Sequence, residues 1–386
     1  MNLRNTYKSH NSLHILLFIT FCLFWGCVSK NKPTRQYSTS DISNIKINSF
    51  IDKSHTADYN YSYCDKITMT RVVAEPEVVY YVKNNNDLKA LYETNPNVEH
   101  IYFFGFGSKS NTNYNIDPII KKFLHLKSID LFTNTNNLKG LKHFESIKKL
   151  ERLNIKLRYN KDIDLDFSQL SNLNHLSLTL DSIQKFPISI FDTKNIKTLT
   201  LMEFNNLMHT DTLYGIEKLT QLESLYINSE RLCLPSSTRK IFPKLWSLIF
   251  SNKDTTKLPN TIDYSILKTF DCNSKIAIYP KDTSFDSLQY LSLRSTIGMS
   301  DIKINPNIKC LRLSPKYEQD CEINLSVFSD LTNLKIFDMH KFSSFPTLRN
   351  TSISSLVVDQ MPVADSVLNN LDSLNYYLQS KLSKKN

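Results

Sequence analysis

Glycine is scarce in this sequence: its 386 residues include six glycines, at positions 26, 105, 107, 140, 215 and 298. A phosphate-binding P-loop and a dinucleotide-binding fingerprint both need closely spaced glycines between a strand and a helix, and these positions supply neither motif. The sequence also lacks HExxH, GxSxG and EF-hand motifs. We therefore predict that the protein is not an enzyme and that it has no cofactor.

Closely spaced cysteine pairs are missing as well. Seven cysteines occur, at 22, 27, 64, 233, 272, 310 and 321, and no two have the CxxC spacing of a zinc or redox motif. Without Cys22 and Cys27, which lie near the N-terminus, an odd number remains, so at least one thiol is free. An oxidising compartment would permit a disulfide between Cys310 and Cys321, although the sequence does not establish one.

A repeated arrangement of apolar residues runs through most of the chain. In "GIEKLTQLESLYINSERLCLP", residues 215–235, apolar residues recur every three positions from Ile216 to Leu225 and then two positions later at Ile227. Neither a helix nor a strand alone has this spacing. The frame apolar-x-x-apolar-x-apolar occurs thirteen times, beginning at Val98, Leu126, Leu150, Leu173, Ile196, Leu222, Leu245, Leu267, Leu288, Ile308, Leu334, Ile353 and Leu371.

These frames resemble the repeats of the leucine-rich repeat family, which are about 20 to 29 residues long and read LxxLxLxxN. The resemblance covers residues 98 to about 376, and an earlier start at "PEVVYYV" stays open. It implies an α/β solenoid with a curved parallel sheet on its concave face, irregular or short helical returns on its convex face, and an N-terminal cap. The ninth-place Asn is present at Asn134 but is replaced in later frames, for example by Asp181 and Glu230, so irregular turns are expected.

The frame predicts which residues face the core. Alternation along a strand sends the fourth and sixth residues inward and the third and fifth residues outward. Cys272 has a sixth place and is expected in the core. His100 and His175 have third places but lie three coils apart, about 14 Å at the spacing of neighbouring strands, which is too far for a shared metal ion. No metal site is predicted.

The N-terminal segment has the pattern of an export signal. Residues 1–26 have a basic start without acidic residues and an apolar run over 13–25, which is too short to span a bilayer comfortably. Gly26 followed by Cys27 resembles the end of a bacterial lipoprotein signal, which implies lipidation of Cys27 and a lipid anchor in the cell envelope. The two residues before Gly26 depart from that signal, so ordinary cleavage after Ser29 and an uncleaved anchor stay open.

Composition divides the rest of the chain. Residues 27–45 are polar without an apolar period, and we interpret them as a tether; their basic residues leave the periplasmic and the surface side of the envelope both open. Residues 46–97 are expected to form the cap, because a bare terminal coil would expose its apolar edge, and "NNNDLKALYETNP" predicts a short helix there. We assign residues 98–380 to the solenoid and 381–386 to a polar tail.

The formal net charge of the chain is +10. A basic balance of this size could attract nucleic acid or an anionic lipid surface. The lysines and arginines are scattered along the chain, however, and export removes the protein from nucleic acid. No nucleic-acid partner is therefore expected.

Two functions remain open. The resemblance implies a recognition module that binds a protein, peptide or glycan through the concave face; the alternative is a structural or scaffolding envelope lipoprotein without a specific ligand there. Outward places in the frames from Leu222 to Ile308 carry aromatic and arginine residues, which are typical of interfaces, although aromatic side chains also cover neighbouring strands. The predicted contact residues are Tyr226, Trp246, Tyr290, Arg294 and Arg312.

Overall fold

The computed structural model describes residues 80–104, 114–115, 118–133, 138–139, 144, 146–157, 166–181, 183–204, 207, 211–236, 239–252, 255–274, 276–280, 283–294, 303–315, 319–320, 325, 328–349 and 353–382. The predicted signal peptide, the lipidation site Cys27, the tether and most of the predicted cap lie outside these residues.

The repeated frames build one long sheet of 14 strands. The strands are added in sequence order, and all pairs are parallel except the last. The strands are β1 (Tyr80–Val82), β2 (His100–Phe104), β3 (Ser128–Thr133), β4 (Arg152–Leu157), β5 (His175–Leu180), β6 (Thr198–Met202), β7 (Ser224–Asn228), β8 (Ser247–Ser251), β9 (Thr269–Asn273), β10 (Tyr290–Leu293), β11 (Cys310–Leu313), β12 (Asn333–Ile336), β13 (Ser355–Val358) and β14 (Met361–Pro362).

The register of the sheet brings the same frame places together. Leu225 in β7 pairs with Leu199 in β6 and with Leu248 in β8, and all three fourth-place leucines are fully buried. Fourth- and sixth-place residues along the sheet form one continuous hydrophobic core, which includes Cys272 as expected. The predicted α/β leucine-rich repeat solenoid is thereby confirmed.

A repeated hydrogen bond aligns the strands at one edge. The backbone carbonyl at the second place of a frame accepts two N–H groups from the next frame; that of Lys197 accepts from Glu223 at 2.8 Å and from Ser224 at 2.9 Å. Side chains at second places also pair across frames, as between Lys127 and Glu99 at 2.8 Å. Because every strand starts at this edge, outward residues of equal place form straight rows.

The other side of each coil is short and irregular. It contains 3₁₀ turns at Pro118–Lys122, Ile188–Asp192, Ile216–Lys218, Tyr264–Ile266 and Met339–Lys341. Five two-stranded parallel sheets pair Tyr114–Asn115 with Leu138–Lys139, Asp211–Thr212 with Leu232–Cys233, Thr255–Lys257 with Ile276–Ile278, Ser284–Phe285 with Lys303–Ile304, and Gln319–Asp320 with Phe342–Ser344. Asn172 and Asn195 each donate a side-chain hydrogen bond to a backbone carbonyl one coil earlier, which joins neighbouring coils.

One predicted frame has the wrong start. In β12, Leu334 lies opposite Leu311, which has a fourth place, so Leu334 also has a fourth place. The frame therefore begins at Leu331, three residues before the predicted start. The error arose because consecutive apolar residues three apart offer two equivalent starting points.

The predicted frame at Leu371 is wrong for a different reason. Leu371–Ser380 is a helix, α3, and the side chain of Asn370 caps its start by accepting hydrogen bonds from two backbone N–H groups. Leu374 and Leu378 are buried on one face of this helix. A spacing of three and then four is helical, and here it outweighs the frame pattern.

Helices lie near both ends of the sheet. The expected N-terminal helix, α1, spans Asn85–Thr94 and is capped by the side chain of Asn84. At the C-terminal end, α2 (Asp365–Leu368) and α3 follow the antiparallel strand β14. In the part of the chain that the structure describes, no helix is both long and apolar enough to cross a membrane.

Candidate binding surface on the concave face

The concave face is the outward side of the main sheet, lined by the third and fifth places of the frames. The structure places Tyr226 and Arg312 in one fifth-place row, in register with the residues between them. The row contains Tyr226, Ile249, Asp271, Ser292 and Arg312. Four strand spacings separate the first member from the last, a distance of about 19 Å along the sheet.

Trp246 and Arg294 lie at opposite edges of this face. Trp246 precedes β8, where its backbone N–H donates to the Glu223 carbonyl at 3.0 Å. Arg294 follows β10, and its backbone N–H donates to the Cys272 carbonyl at 3.0 Å. The side chain of Arg294 is exposed and that of Trp246 is half-buried. The structure therefore does not bring these two predicted contact residues together.

Tyr290 is almost entirely covered. Its side chain is 5 % exposed and packs against Cys310 in the third-place row. Burial raises the pKa of its hydroxyl to about 12, although hydrogen bonds with Ser292 and Arg312 act in the opposite direction. Tyr290 thus forms a hydrogen bond with Arg312 and offers little surface of its own.

A half-buried carboxyl lies at the centre of the fifth-place row. Burial raises the pKa of Asp271, against smaller opposing contributions from a hydrogen bond with Ser292 and from the charges of Arg312 and Arg294. Asp271 also contributes to the raised pKa of Tyr226, whose main cause is burial. The two arginines, Arg294 after β10 and Arg312 in β11, therefore provide the positive charge nearest this carboxyl.

Arg294 and Arg312 line an open cleft of about 540 Å³. The cleft lies on the side of the main sheet where the strands end. We call this the arginine cleft; its other lining residues are Ser314, Phe337, Asp338, Asp359 and Gln360. The Arg312 guanidinium lies over the Phe337 ring, 4.6 Å from its centroid, which is a cation–π contact. The cleft therefore combines cationic, aromatic and acidic side chains within the last coils.

Three residues of the arginine cleft have left-handed backbone conformations. The φ angles are +53° at Asp338, +50° at Asp359 and +69° at Gln360. Such conformations cost non-glycine residues roughly 1–2 kcal/mol each, and they are concentrated at binding and switch sites. The Asp359 carboxylate holds the turn by accepting a hydrogen bond from the Met339 N–H at 3.0 Å.

Sequence reasoning missed most of the arginine cleft. Arg294, Ser314, Phe337 and Asp359 each have the seventh place of a frame, one position beyond the inward sixth residue. The incorrect start at Leu334 gave Phe337 a fourth, inward place. With the frame starting at Leu331, Phe337 has a seventh place. The seventh-place row would then have predicted that these cleft residues lie side by side.

The N-terminal end of the concave face has an aromatic cluster. Tyr102 lies between Tyr81 and Phe132, with ring centroids 5.0 Å and 5.2 Å away. In the neighbouring strands, the Asp130 carboxylate accepts a hydrogen bond from Asn154 at 3.0 Å and lies 3.6 Å from the Arg152 guanidinium. These polar side chains satisfy one another.

Third-place residues are buried from β7 to β12 and at Ser128 in β3, but not from β4 to β6. In β7 to β12 they are between 0 and 7 % exposed. These residues are Ser224, Ser247, Thr269, Tyr290, Cys310 and Asn333. In β4 to β6, by contrast, the third-place residues Arg152, His175 and Thr198 are only half-buried.

Within the residues that the structure describes, no group of three or more histidine, cysteine, aspartate or glutamate side chains is placed to hold a metal ion.

Comparisons with known proteins yield only distant similarity. No family model and no curated protein matches the chain. Among solved structures, the chain is similar to an internalin (inlF) of Listeria monocytogenes at 15 % identity and a TM-score of 0.42, with 69 % of this chain and 74 % of that chain covered. For a leucine-rich repeat protein of Leptospira interrogans the values are 18 %, 0.32, 79 % and 99 %.

A third similar structure is the TLR13–ssRNA13 complex, at 18 % identity and a TM-score of 0.41, with 73 % of this chain and 48 % of that chain covered. Similarity at this level carries no information about a ligand or a site. The assignment of the fold therefore rests on the sheet topology and register of this chain.

Proposed function

We propose that this protein is a non-catalytic, exported recognition module that binds a protein, peptide or glycan partner on the concave face of its solenoid. The arginine cleft is the main contact site. This proposal depends on one observation about Arg294 and Arg312. Neither arginine forms a salt bridge with another described residue. Their charges line an open cleft and are available to a partner.

The chemistry of the arginine cleft favours a carboxylate-bearing peptide or protein segment. A guanidinium binds a carboxylate through two parallel hydrogen bonds, and Arg312 is held in place by Phe337 and Tyr290. Asp338 pairs with Lys341 at 3.3 Å, and one oxygen of Asp359 accepts from the Met339 N–H. The other oxygen of each carboxylate can accept a hydrogen bond from a backbone N–H group of the same ligand. A segment with an acidic group beside an apolar one would therefore match the site.

Export and anchoring are parts of the same proposal. The N-terminal pattern supports export, and Gly26–Cys27 supports a lipid anchor at Cys27 in the cell envelope. The alternative, a scaffolding lipoprotein without a concave-face ligand, makes no use of the arginine cleft. A binding experiment therefore separates the two functions.

The test uses a library of random peptides with free C-terminal carboxylates, selected on the mature chain. Peptides enriched in acidic residues are expected, and Arg294→Ala with Arg312→Ala should weaken their binding about 10- to 100-fold, as loss of charge-assisted hydrogen bonds does. Lys268→Ala is the matched control, because this exposed cation lies at the other edge of the sheet and its loss should leave affinity within about twofold.

Two results would contradict the proposal. Peptides that bind the double arginine variant as tightly as the parent, with an unchanged thermal melt, would remove the arginine cleft as the site. A selection that enriches no peptide, together with a pull-down from the cell envelope that depends on neither arginine, would favour the scaffolding function.

A further inference from the structure

Three 3₁₀ turns on the outer side of the first coils have the same internal arrangement. Ile120, Ile190 and Ile216 each lie six residues before the start of their frame, and all three are fully buried. The turns are therefore equivalent, so that residues at an equal distance from their frames point in the same direction. The first and the last of these turns are four coils apart, or about 19 Å at the spacing of neighbouring strands.

Two apolar side chains protrude from the second and third of these turns. Ile188 and Tyr214 each lie eight residues before their frame, and they are 65 % and 75 % exposed. Their turns are neighbours, because Lys218 in one pairs with Asp192 in the other at 2.9 Å. Leu124, which follows the first turn, is 72 % exposed. These three apolar side chains bury their area only if another surface covers them.

The charged residues around these apolar side chains are mostly lysines. We give the name lysine surface to the exposed residues of five stretches, 118–126, 146–150, 166–173, 183–196 and 212–222. These stretches contain seven lysines, three acidic residues and no arginine. All seven lysines are exposed: Lys121, Lys122, Lys148, Lys149, Lys185, Lys194 and Lys218.

The acidic residues of the lysine surface are already engaged, whereas most of its lysines are not. Asp192 pairs with Lys218, and the carboxylates of Glu217 and Asp166 each accept a hydrogen bond from a nearby backbone N–H. The other six lysines form no ion pair with a described residue. Their charges are therefore available to an anionic partner.

We propose that the lysine surface docks on a phospholipid bilayer that contains anionic lipids. Leu124, Ile188 and Tyr214 enter the headgroup layer, where their apolar area is removed from water. The lysines attract anionic headgroups while their carbon chains lie along the apolar side chains. A tyrosine suits this depth because its ring is apolar and its hydroxyl is polar.

The composition of the lysine surface favours a bilayer over a protein partner. Lysine is depleted in protein–protein interfaces, where arginine is enriched, and the lysine surface has lysines and no arginine. Faces that lie on membranes combine lysines with protruding apolar side chains. The arginine cleft has the opposite character, since its cations are arginines.

Docking of the lysine surface goes beyond the proposed function and does not depend on the ligand of the arginine cleft. The 3₁₀ turns lie on the opposite side of the hydrophobic core from the outward rows of the main sheet. A solenoid that rests on these turns therefore presents its concave face away from the bilayer. The proposed anchor at Cys27 would keep the chain at the membrane, and the lysine surface would set its orientation.

The test measures binding of the mature chain to lipid vesicles. The chain carries Cys27→Ser, which prevents acylation and leaves binding by the polypeptide alone. Vesicles are made of phosphatidylcholine, with or without phosphatidylglycerol, and binding is measured by co-sedimentation. Affinity should be at least about tenfold higher for the anionic vesicles and should fall as salt is added, because the attraction is screened. Equal affinity for both vesicles, or no binding to the anionic ones, would overturn the proposal.

Two matched double variants locate the contact. Lys185→Gln with Ile188→Ser should weaken binding to the anionic vesicles about tenfold, because it removes one charge and one inserted side chain. Lys257→Gln with Ile278→Ser makes the same changes at two exposed residues that are paired in a later coil, and it should stay within about twofold of the parent. Thermal melts should be unchanged in both, since all four side chains are exposed.

Two further results would contradict docking at this surface. Equal losses in the two double variants would mean that the lysine surface is not the contact. Binding of polyglutamate without binding of the anionic vesicles would assign the surface to an acidic protein. The variant with Arg294→Ala and Arg312→Ala should bind vesicles as the parent does, so failure of the arginine cleft as a peptide site leaves this result unchanged.

Discussion

The concave face has a first half, β2 to β6, and a second half, β7 to β12. The two halves share the same backbone structure and differ in their outward side chains. In β4 to β6 the third-place side chains are half-buried and polar, as at Arg152 and Thr198. In β7 to β12 the equivalent places are buried, as at Thr269 and Cys310. The inward residues do not show this difference, because fourth-place residues are buried in both halves. A solenoid repeats its core but leaves its outward rows free to diverge, so function is sought where those rows change.

The two halves also handle negative charge differently. Asp130, in the first half, has partners at hydrogen-bond and ion-pair distance in Asn154 and Arg152. Asp271, at the same place in the second half, is held among Ser292, Arg312 and Arg294, and burial dominates its pKa. The first half therefore pairs its carboxylate with an amide and a guanidinium within the sheet, whereas in the second half burial has the larger effect on the carboxyl group.

If the two halves differ only in their outward residues, substitutions of inward residues should destabilise both halves equally. These core substitutions have the largest expected effect. Leu176→Ala in the first half and Leu225→Ala in the second should each lower the free energy of unfolding by about 2–5 kcal/mol, because both leucines are buried fourth-place residues and their truncation leaves a cavity. Tyr226→Ala, at the outward neighbour of Leu225, should cost much less. Chemical denaturation measures all three, and equal losses for Leu225 and Tyr226 would mean that the register is wrong.

The repeated frame was sufficient to predict the fold. Spacing alone identified the inward residues of most coils, because one coil cannot bury its own apolar edge and must match its neighbours. It failed at Leu334, where two starting points were equivalent, and at Leu371, where the same residues suit a helix. Both failures lie near the C-terminal end, where the last coils meet a terminal helix.

The candidate site was less predictable than the fold. The frame predicts to which outward row a residue belongs. It therefore placed Tyr226 and Arg312 correctly on one face. Burial of outward residues did not follow, because it depends on what covers the sheet; Tyr290 is the example. The left-handed turns that shape the arginine cleft are formed by Asp338 and Asp359 and not by glycines, so the sequence did not predict them.

A smaller effect is expected from removing a buried hydroxyl in the part of the sheet from β7 to β12. Thr269 Oγ1 is buried and has no hydrogen-bond partner among the residues that the structure describes. Thr269→Val keeps the shape and removes that group, so it should raise the free energy of unfolding by about 1–2 kcal/mol. The matched control is Thr198→Val, at the same third place in the half-buried part of the sheet, where the change should stay within about 0.5 kcal/mol. A loss of stability in Thr269→Val would mean that this hydroxyl is satisfied and that the two halves are alike.

The smallest expected effect concerns the two carboxylates. Because burial raises the pKa of Asp271, the folded protein holds that proton more tightly than the unfolded chain does. The resulting stability is fully present below the ordinary value of 3.8 and is lost as pH rises through the folded pKa. Asp271→Asn cannot lose a proton, so it should melt at a higher temperature than the parent at pH 7 and should show little difference below pH 3.8.

Asp130→Asn is the matched control for the pH experiment and should change stability in the opposite direction. It weakens the contact with the Arg152 guanidinium at 3.6 Å, which is partly exposed, so the expected loss at pH 7 is at most about 1 kcal/mol. Thermal melts of both variants between pH 3 and pH 8 measure the contrast. If Asp271→Asn melts below the parent at pH 7, the charges of Arg294 and Arg312 outweigh the burial of Asp271. The second half of the concave face would then stabilise a carboxylate as the first half does, and its arginines would already be engaged by the protein itself.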